Sequence, residues 1–193
     1  MANFMAEFIN PGPPTAVSEM ILHTVTWELF TNGASSSDGA GAGLILINPD
    51  GEEHIYTLHF AFSVSNNEAK YEALLSGIRI AKKMSVNALK VAVDSQLVEN
   101  QLNGTFEARD HAMQKYLKLA TELDNKFDSF SITQVSCSMN KKADALSKLS
   151  LLTFSHIAKD IWVEVIEQKS TDMVADMAKT DDFICAVSSG RNT

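Results

Sequence analysis

Residues 29–44, LFTNGASSSDGAGAGL, decide the fold because they describe two strands joined by a short turn. One apolar run stops at Thr31-Asn32-Gly33, small residues follow, and a second apolar run begins near Gly41. Two such runs separated by small turn-forming residues are typical of a β-hairpin. The sequence therefore predicts an antiparallel pair of strands, with Asn32 where the first apolar run stops.

Elements of regular periodicity continue from this hairpin to about residue 150. Strands are predicted at 27–30, 41–47, 52–60, 89–93 and 130–135, and helices at 66–83, 95–104, 108–126 and 140–150. Asn66 and Asn67 offer a cap for the first helix. We therefore predict an α/β fold with a mixed five-stranded sheet. Its three antiparallel strands precede two that are joined by helical crossovers, and helices cover both faces.

Length and composition favour one domain with short appendages. The chain has 193 residues, 45% of them hydrophobic, which is enough for one sizeable core. Cys137 and Cys185 have no metal-type spacing and no signal peptide precedes them, so we expect reduced thiols in an intracellular protein, cytoplasmic or nuclear. No apolar run approaches the roughly 18 residues that a membrane span needs, and we expect no membrane partner.

The segments on either side of the regular region differ from it in character. The stretch NPGPP at residues 10–14 has three prolines in five residues and is typical of a linker. Residues 161–167 alternate in polarity, which suggests one strand that either pairs with a sheet edge or stays unsupported.

A net charge of −8 argues against a general nucleic-acid binder, because an acidic surface repels phosphates. The basic residues nevertheless cluster within the predicted helices. The clusters are Arg79, Lys82 and Lys83, and Lys141, Lys142 and Lys148. Each is consistent with a phosphate-binding face or with an ordinary solvated helix face.

Two acidic residues are placed where a mixed sheet could bring them together. Asp94 ends a predicted strand, and Asp144 lies in the first turn of the last helix. Carboxylates at strand ends are a common arrangement in active sites. Periodicity alone leaves an alternative open, since the helix dipole favours an acid in a first turn.

Four blocks of the sequence resemble the type 1 RNase H domain in the polyprotein of plant gypsy-class LTR retrotransposons. They are TNGASSSDGAGAGLIL, NNEAKYEALLSGIRIAKKM, VDSQLVENQLNGTFEARD and NKKADALSKLS, in this order. The resemblance covers residues 27–150. Residues 1–26 then correspond to a remnant of the preceding connection with a proline-rich linker, and residues 151–193 to a tail with one possible strand.

This resemblance implies an RNase H-like fold that hydrolyses the RNA strand of RNA/DNA hybrids with two divalent metals, Mg²⁺ or Mn²⁺. It places the four metal-binding acids of the family at Asn32, Lys70, Asp94 and Asp144. It also places Asn67, Ser95 and Gln96 against the substrate. For backbone contacts we select the basic residues Arg79, Lys82, Lys83, Lys141 and Lys142.

Two of the four acid positions do not carry an acid here. The four side chains sum to −1 rather than −4, so we expect Asp94 and Asp144 to bind metal weakly or not at all. Glu68 and Glu72 cannot replace an acid at Lys70, since each lies two residues away and about 200° around the helix. We expect the Lys70 ammonium to pair with Asp94 or Asp144.

Three hypotheses about function follow from the sequence. The first is an RNase H domain of retrotransposon origin with impaired catalysis, which binds RNA/DNA hybrid weakly and with strong salt dependence. The second is a ribonuclease that is still active on such hybrids. The third is a protein-interaction module that reuses the fold without nucleic acid. The oligomeric state is not predicted.

Overall fold

The computed structural model describes residues 25–136, 138–149 and 161–173. Of the proposed connection remnant and proline-rich linker at residues 1–26, residues 1–24 lie outside the described residues, as do both cysteines and the remainder of the C-terminal tail. Among the helices of the described part, none is both long and apolar enough to cross a membrane.

The sheet has six strands where the sequence predicted five. They are β1 (Thr26–Ser36), β2 (Gly39–Ile47), β3 (Glu53–Phe60), β4 (Ala88–Val93), β5 (Ser129–Gln134) and β6 (Ile161–Ile166). Their order is β5-β4-β1-β2-β3-β6. Pairs β1–β2 and β2–β3 are antiparallel, whereas β1–β4, β4–β5 and β3–β6 are parallel. The possible strand in the tail is thus confirmed as β6, and the count of five was wrong because alternation alone does not reveal a partner edge.

Five helices accompany the strands in the part of the chain that the structure describes. They are α1 (Asn66–Lys83), α2 (Gln96–Leu102), α3 (His111–Asp124), α4 (Lys141–Leu149) and α5 (Ser170–Met173). The cap of α1 is Ser65 rather than Asn66 or Asn67. Its hydroxyl accepts from the Glu68 N–H while the Glu68 carboxylate accepts from the Ser65 N–H. This reciprocal pair satisfies two backbone donors and explains where the helix begins.

The helices lie on both faces of the sheet, as predicted, and two glycines let them approach closely. A Cβ added at Gly33 would lie 2.0 Å from the carbonyl oxygen of Ala69 in α1. A Cβ at Gly43 would lie 2.2 Å from the carbonyl oxygen of Ala143 in α4. Only glycine allows this contact. The first turns of both helices are consequently held against the centre of the sheet.

A buried carboxylate joins the segment 161–173 to the rest of the fold. Glu72 is fully buried in α1, where Tyr116 donates its hydroxyl to Oε1 at 2.7 Å. Ser170 donates its N–H to Oε1 at 2.7 Å and its hydroxyl to Oε2 at 2.6 Å. Arg79 donates Nη1 to the Ser170 hydroxyl at 2.7 Å. Residues beyond 150 therefore complete the hydrogen bonding of a carboxylate in the core.

The contribution of this network can be measured with Ser170→Ala. The substitution removes one donor to Glu72 and leaves the Arg79 guanidinium without its acceptor, so we expect a loss of about 1–3 kcal/mol in the free energy of unfolding. Chemical denaturation measures the change. Ser131→Ala, at an exposed position in β5, is the control and should stay within about 0.5 kcal/mol of the parent. Equal losses in both variants would contradict the assignment.

Candidate functional site

The four positions selected from the sequence lie close together beside the centre of the sheet: Asn32, Lys70 and Asp94 line one cleft, and Asp144 contacts Asn32. The β1–β4 ladder ends at the pair Thr31–Val93, and Asn32 and Asp94 follow directly on the two strands. Lys70 reaches the same cleft from the first turns of α1. Asp144 approaches Asn32 from α4 on the opposite face. The topology therefore brings together groups that are 112 residues apart in the chain.

Asn32 is bonded to one of the two remaining acids. Its Nδ2 donates to Asp144 Oδ1 at 3.0 Å, and the residue is buried, with 5% of its surface exposed. Asn140, just before α4, donates Nδ2 to the Thr31 carbonyl at 3.1 Å and so holds the start of α4 on β1. The Asn32 Oδ1 atom is buried without a hydrogen-bond partner in the described residues.

Lys70 is paired with the other acid. Its Nζ lies 3.6 Å from Asp94 Oδ1, and the two side chains are 21% and 14% exposed. The predicted ion pair is thus confirmed, with Asp94 as the partner. The separation exceeds ordinary hydrogen-bond length, so the ammonium is held mainly by charge and retains donor capacity.

Lys148 is a member of the site that was not selected from the sequence. Its Nζ contacts Asp144 Oδ2 at 2.7 Å, one helical turn further along α4. The spacing of four residues on a helix was the available signal, since an acid followed at that distance by a lysine commonly forms a pair. With Lys148 included, two carboxylates and two ammonium groups make the cleft neutral.

Neither neighbouring glutamate supplies the missing acid, as expected. Glu68 belongs to the α1 cap and pairs with Lys169 at 3.1 Å. Burial alone would raise the pKa of Glu68, but the hydrogen bond from Ser65 and the charge of Lys169 outweigh it and lower that pKa. Glu72 points into the core toward Ser170. Both carboxylates are therefore used elsewhere.

The residues in the cleft do not fit a pair of divalent cations. Mg²⁺ and Mn²⁺ favour several carboxylate oxygens in one place. Here Asp144 already accepts from Asn32 and Lys148, and an ammonium lies beside Asp94. Within residues 25–136, 138–149 and 161–173, no group of three or more acids, histidines or cysteines could hold a metal ion. The described site has no ligand set for two-metal chemistry.

The predicted substrate contacts fall into two groups. Asn67 and Gln96 are exposed, while the buried Ser95 caps α2 by accepting from the Val98 N–H. Lys141 and Lys142 begin α4 and are exposed, and Lys142 pairs with Glu53. All five lie on or next to elements that carry the site. Their roles in substrate binding stay predictions.

The other basic candidates lie farther away or are used inside the fold. Arg79 is bonded to Ser170 next to buried Glu72, and its role in contacting the nucleic-acid backbone stays a prediction. Burial lowers the pKa of Arg79, and the charge of Glu72 opposes that shift. Lys82 donates to the Lys126 carbonyl at 2.6 Å. Lys82 and the exposed Lys83 are about 20 Å along α1 from Lys70.

Comparison with known proteins identifies the family to which this architecture belongs. Residues 30–150 match the family model described as Reverse transcriptase-like. Ribonuclease HI of Halobacterium salinarum is 32% identical over 124 residues, which are 63% of this chain. They are 62% of that protein, so the chain spans less than two thirds of its length.

Solved structures give the same result for the fold. The crystal structure of RNase H1 from the halophilic archaeon Halobacterium salinarum NRC-1 has a TM-score of 0.59 at 32% identity and covers 65% of this chain and 97% of that one. The foamy viral protease-reverse transcriptase in complex with RNA/DNA hybrid has a TM-score of 0.51 at 13% identity, over 77% and 22% of the two chains. That second likeness concerns the fold alone.

The pairing of Asn32 with Asp144 predicts a pH-dependent cost for Asn32→Asp. Two carboxylates at 3.0 Å raise each other's pKa, so the variant loses stability above the ordinary aspartate pKa of about 4 and regains it below. We expect a loss of about 1–3 kcal/mol at pH 7 without divalent cations. Chemical denaturation at pH 7 and pH 4 measures it. Asn66→Asp, at an exposed position, is the control, and a loss independent of pH would contradict the explanation.

Proposed function

We propose that this chain, which belongs to the reverse transcriptase-like family and contains an RNase H-like domain, derives from a retrotransposon. In this proposal it binds RNA/DNA hybrids, and its catalysis is impaired. The family hydrolyses the RNA strand of such hybrids. The impaired catalysis and the retrotransposon origin of this chain are inferred from its own residues.

The observation that carries the proposal is the pairing inside the cleft. Asn32 donates to Asp144, and the Lys70 ammonium lies beside Asp94. Each remaining acid is therefore occupied by the residue that stands at a substituted acid position. Loss of one preorganised contact to a transition state costs about 10²- to 10³-fold in rate. With two positions changed and one of them inverted in charge, we expect very low activity or none.

Hybrid binding is supported by the parts of the surface that the substitutions leave unchanged. Asn67, Gln96 and Lys141 are exposed on the helices that carry or adjoin the site, and contacts to a nucleic-acid backbone need no metal. Structural neighbours have been solved in complex with RNA/DNA hybrid. Because the chain carries a net charge of −8, we expect weak binding that falls steeply with salt.

An origin in a retroelement is supported by three independent features. The sequence blocks resemble plant gypsy-class elements, the matching family model is described as Reverse transcriptase-like, and a foamy viral reverse transcriptase shares the fold. We propose a gypsy-class LTR retrotransposon as the source of the chain. We also propose that the protein is intracellular.

A second candidate function, a protein-interaction module, is favoured by the exposed apolar surface of β6. Trp162 is 63% exposed and Val165 is 50% exposed, on the outermost strand of the described sheet. Exposed apolar strands at a sheet edge commonly pair with other chains. Failure to bind hybrid even at low salt would favour this function over the first.

Cleavage of a labelled RNA/DNA hybrid in Mg²⁺ and in Mn²⁺ tests the proposal. The parent is compared with Asn32→Asp/Lys70→Glu, which restores carboxylates at both positions. We expect a silent parent and a variant faster by at least about 10²-fold, because two ligand positions regain their charge. The double variant Asn66→Asp/Lys118→Glu makes the same changes of residue type at exposed positions and should stay silent.

The other outcomes separate the hypotheses. An active parent would show that Asn32 and Lys70 do not impair catalysis, and the chain would be a functioning ribonuclease. Silence from both, with the revertant folded in Mg²⁺ by circular dichroism, would move the defect to substrate binding and favour the interaction module.

A further inference from the structure

The Lys70 ammonium is available to a ligand in the cleft. It lies in the cleft beside Asp94, its side chain is 21% exposed, and its separation from Asp94 Oδ1 is 3.6 Å. A primary ammonium has three donors, and an ion pair at this distance leaves them able to bond elsewhere. An incoming oxygen could therefore bind Nζ without displacing Asp94.

The charge balance of the cleft does not oppose an anionic ligand. Lys70 balances Asp94, and Lys148 balances Asp144, which also accepts from Asn32. A phosphate that approaches Nζ thus meets a neutral group. With carboxylates at both substituted positions the same cleft, Lys148 included, would carry −3. It would then repel a phosphate strongly unless cations were bound first.

We propose that Lys70 takes over the electrostatic role of a divalent cation in substrate binding. Its Nζ donates to a phosphate oxygen of the hybrid backbone, so that the chain binds RNA/DNA hybrid equally well with and without divalent cations. This inference rests on the proposed hybrid-binding function. Beyond that function, it assigns phosphate binding to Lys70 and makes hybrid binding independent of divalent cations.

Other lysines around the cleft are less suited to this contact. Lys148 contacts Asp144 at 2.7 Å, close enough for a direct hydrogen bond. Lys142 is paired with Glu53. Lys82, at the far end of α1, donates to a carbonyl and lies 4.4 Å above the centre of the Phe127 ring. Lys70 is the lysine among them that combines a place in the cleft with a loose pairing.

Fluorescence anisotropy with a labelled RNA/DNA hybrid tests the inference. Affinity is measured in EDTA and in Mg²⁺ at matched ionic strength, for the parent and for Lys70→Arg, Lys70→Gln and Lys70→Glu. Lys118→Gln, at an exposed position of α3, controls for the loss of one positive charge. Affinity is also followed as a function of salt.

We expect the parent to bind the hybrid with the same affinity in EDTA and in Mg²⁺, and we expect the same of Lys70→Arg. Lys70→Gln should weaken binding by about 3- to 10-fold and lower the slope of log K against log salt by about 0.7–0.9, which corresponds to one lost phosphate contact. Lys70→Glu should weaken binding further in EDTA, by about 10- to 100-fold, because it repels the phosphate. Lys118→Gln should leave the slope unchanged. Retained binding by Lys70→Arg shows that the positive charge is what the contact requires, and circular dichroism of Lys70→Gln and Lys70→Glu excludes a folding defect as the cause.

Failure of the inference and failure of the proposed function look different. A parent that binds only in Mg²⁺, or a Lys70→Gln variant with the affinity and salt slope of the parent, would overturn the role of Lys70 and leave hybrid binding standing. A folded parent that binds no hybrid in either medium at low salt would overturn the proposed function itself, and the role of Lys70 with it.

Discussion

The close approach of two helices to opposite faces of the central strands is the constraint on which the site depends. At Gly33 the backbone of α1 takes the space of a side chain, and at Gly43 the backbone of α4 does the same. These contacts place Lys70 and Asp144 beside the end of the β1–β4 ladder. A methyl group at either glycine would push a helix away from the sheet and separate the groups of the cleft.

Given that geometry, the chemistry of the cleft follows from which groups meet there. Four acids in this space would repel one another and need cations to compensate. Here the Asn32 amide donates to Asp144 and the Lys70 ammonium lies beside Asp94. Both remaining carboxylates therefore have a partner without a metal ion. Asn32 and Lys70 thus remove an electrostatic cost from the metal-free fold. The architecture of the domain is therefore compatible with the absence of acids at these two positions.

Much of this arrangement could be predicted because it depends on local pattern. Apolar periodicity located β1 to β5 and the longer helices, and the order of elements predicted a mixed sheet covered on both faces. The pairing of Lys70 with an acid followed from its charge once the resemblance to a known family had placed it beside Asp94 and Asp144. The strand count was wrong, and the partner of Arg79 was not predicted, because both depend on long-range packing. β6 pairs with β3, and Ser170, 91 residues after Arg79, accepts a hydrogen bond from its guanidinium.

The sequence by itself determined the elements and their order, because periodicity is a local property, and its resemblance to a known family indicated the four positions of the site. Tertiary structure decided which acid each substituted residue contacts, that Lys148 joins Asp144, and that β6 extends the sheet beside β3. It also decided that Glu72 is buried and bonded rather than free to act in the cleft. These depend on distances between segments far apart in the chain, which are set only when both faces of the sheet are packed.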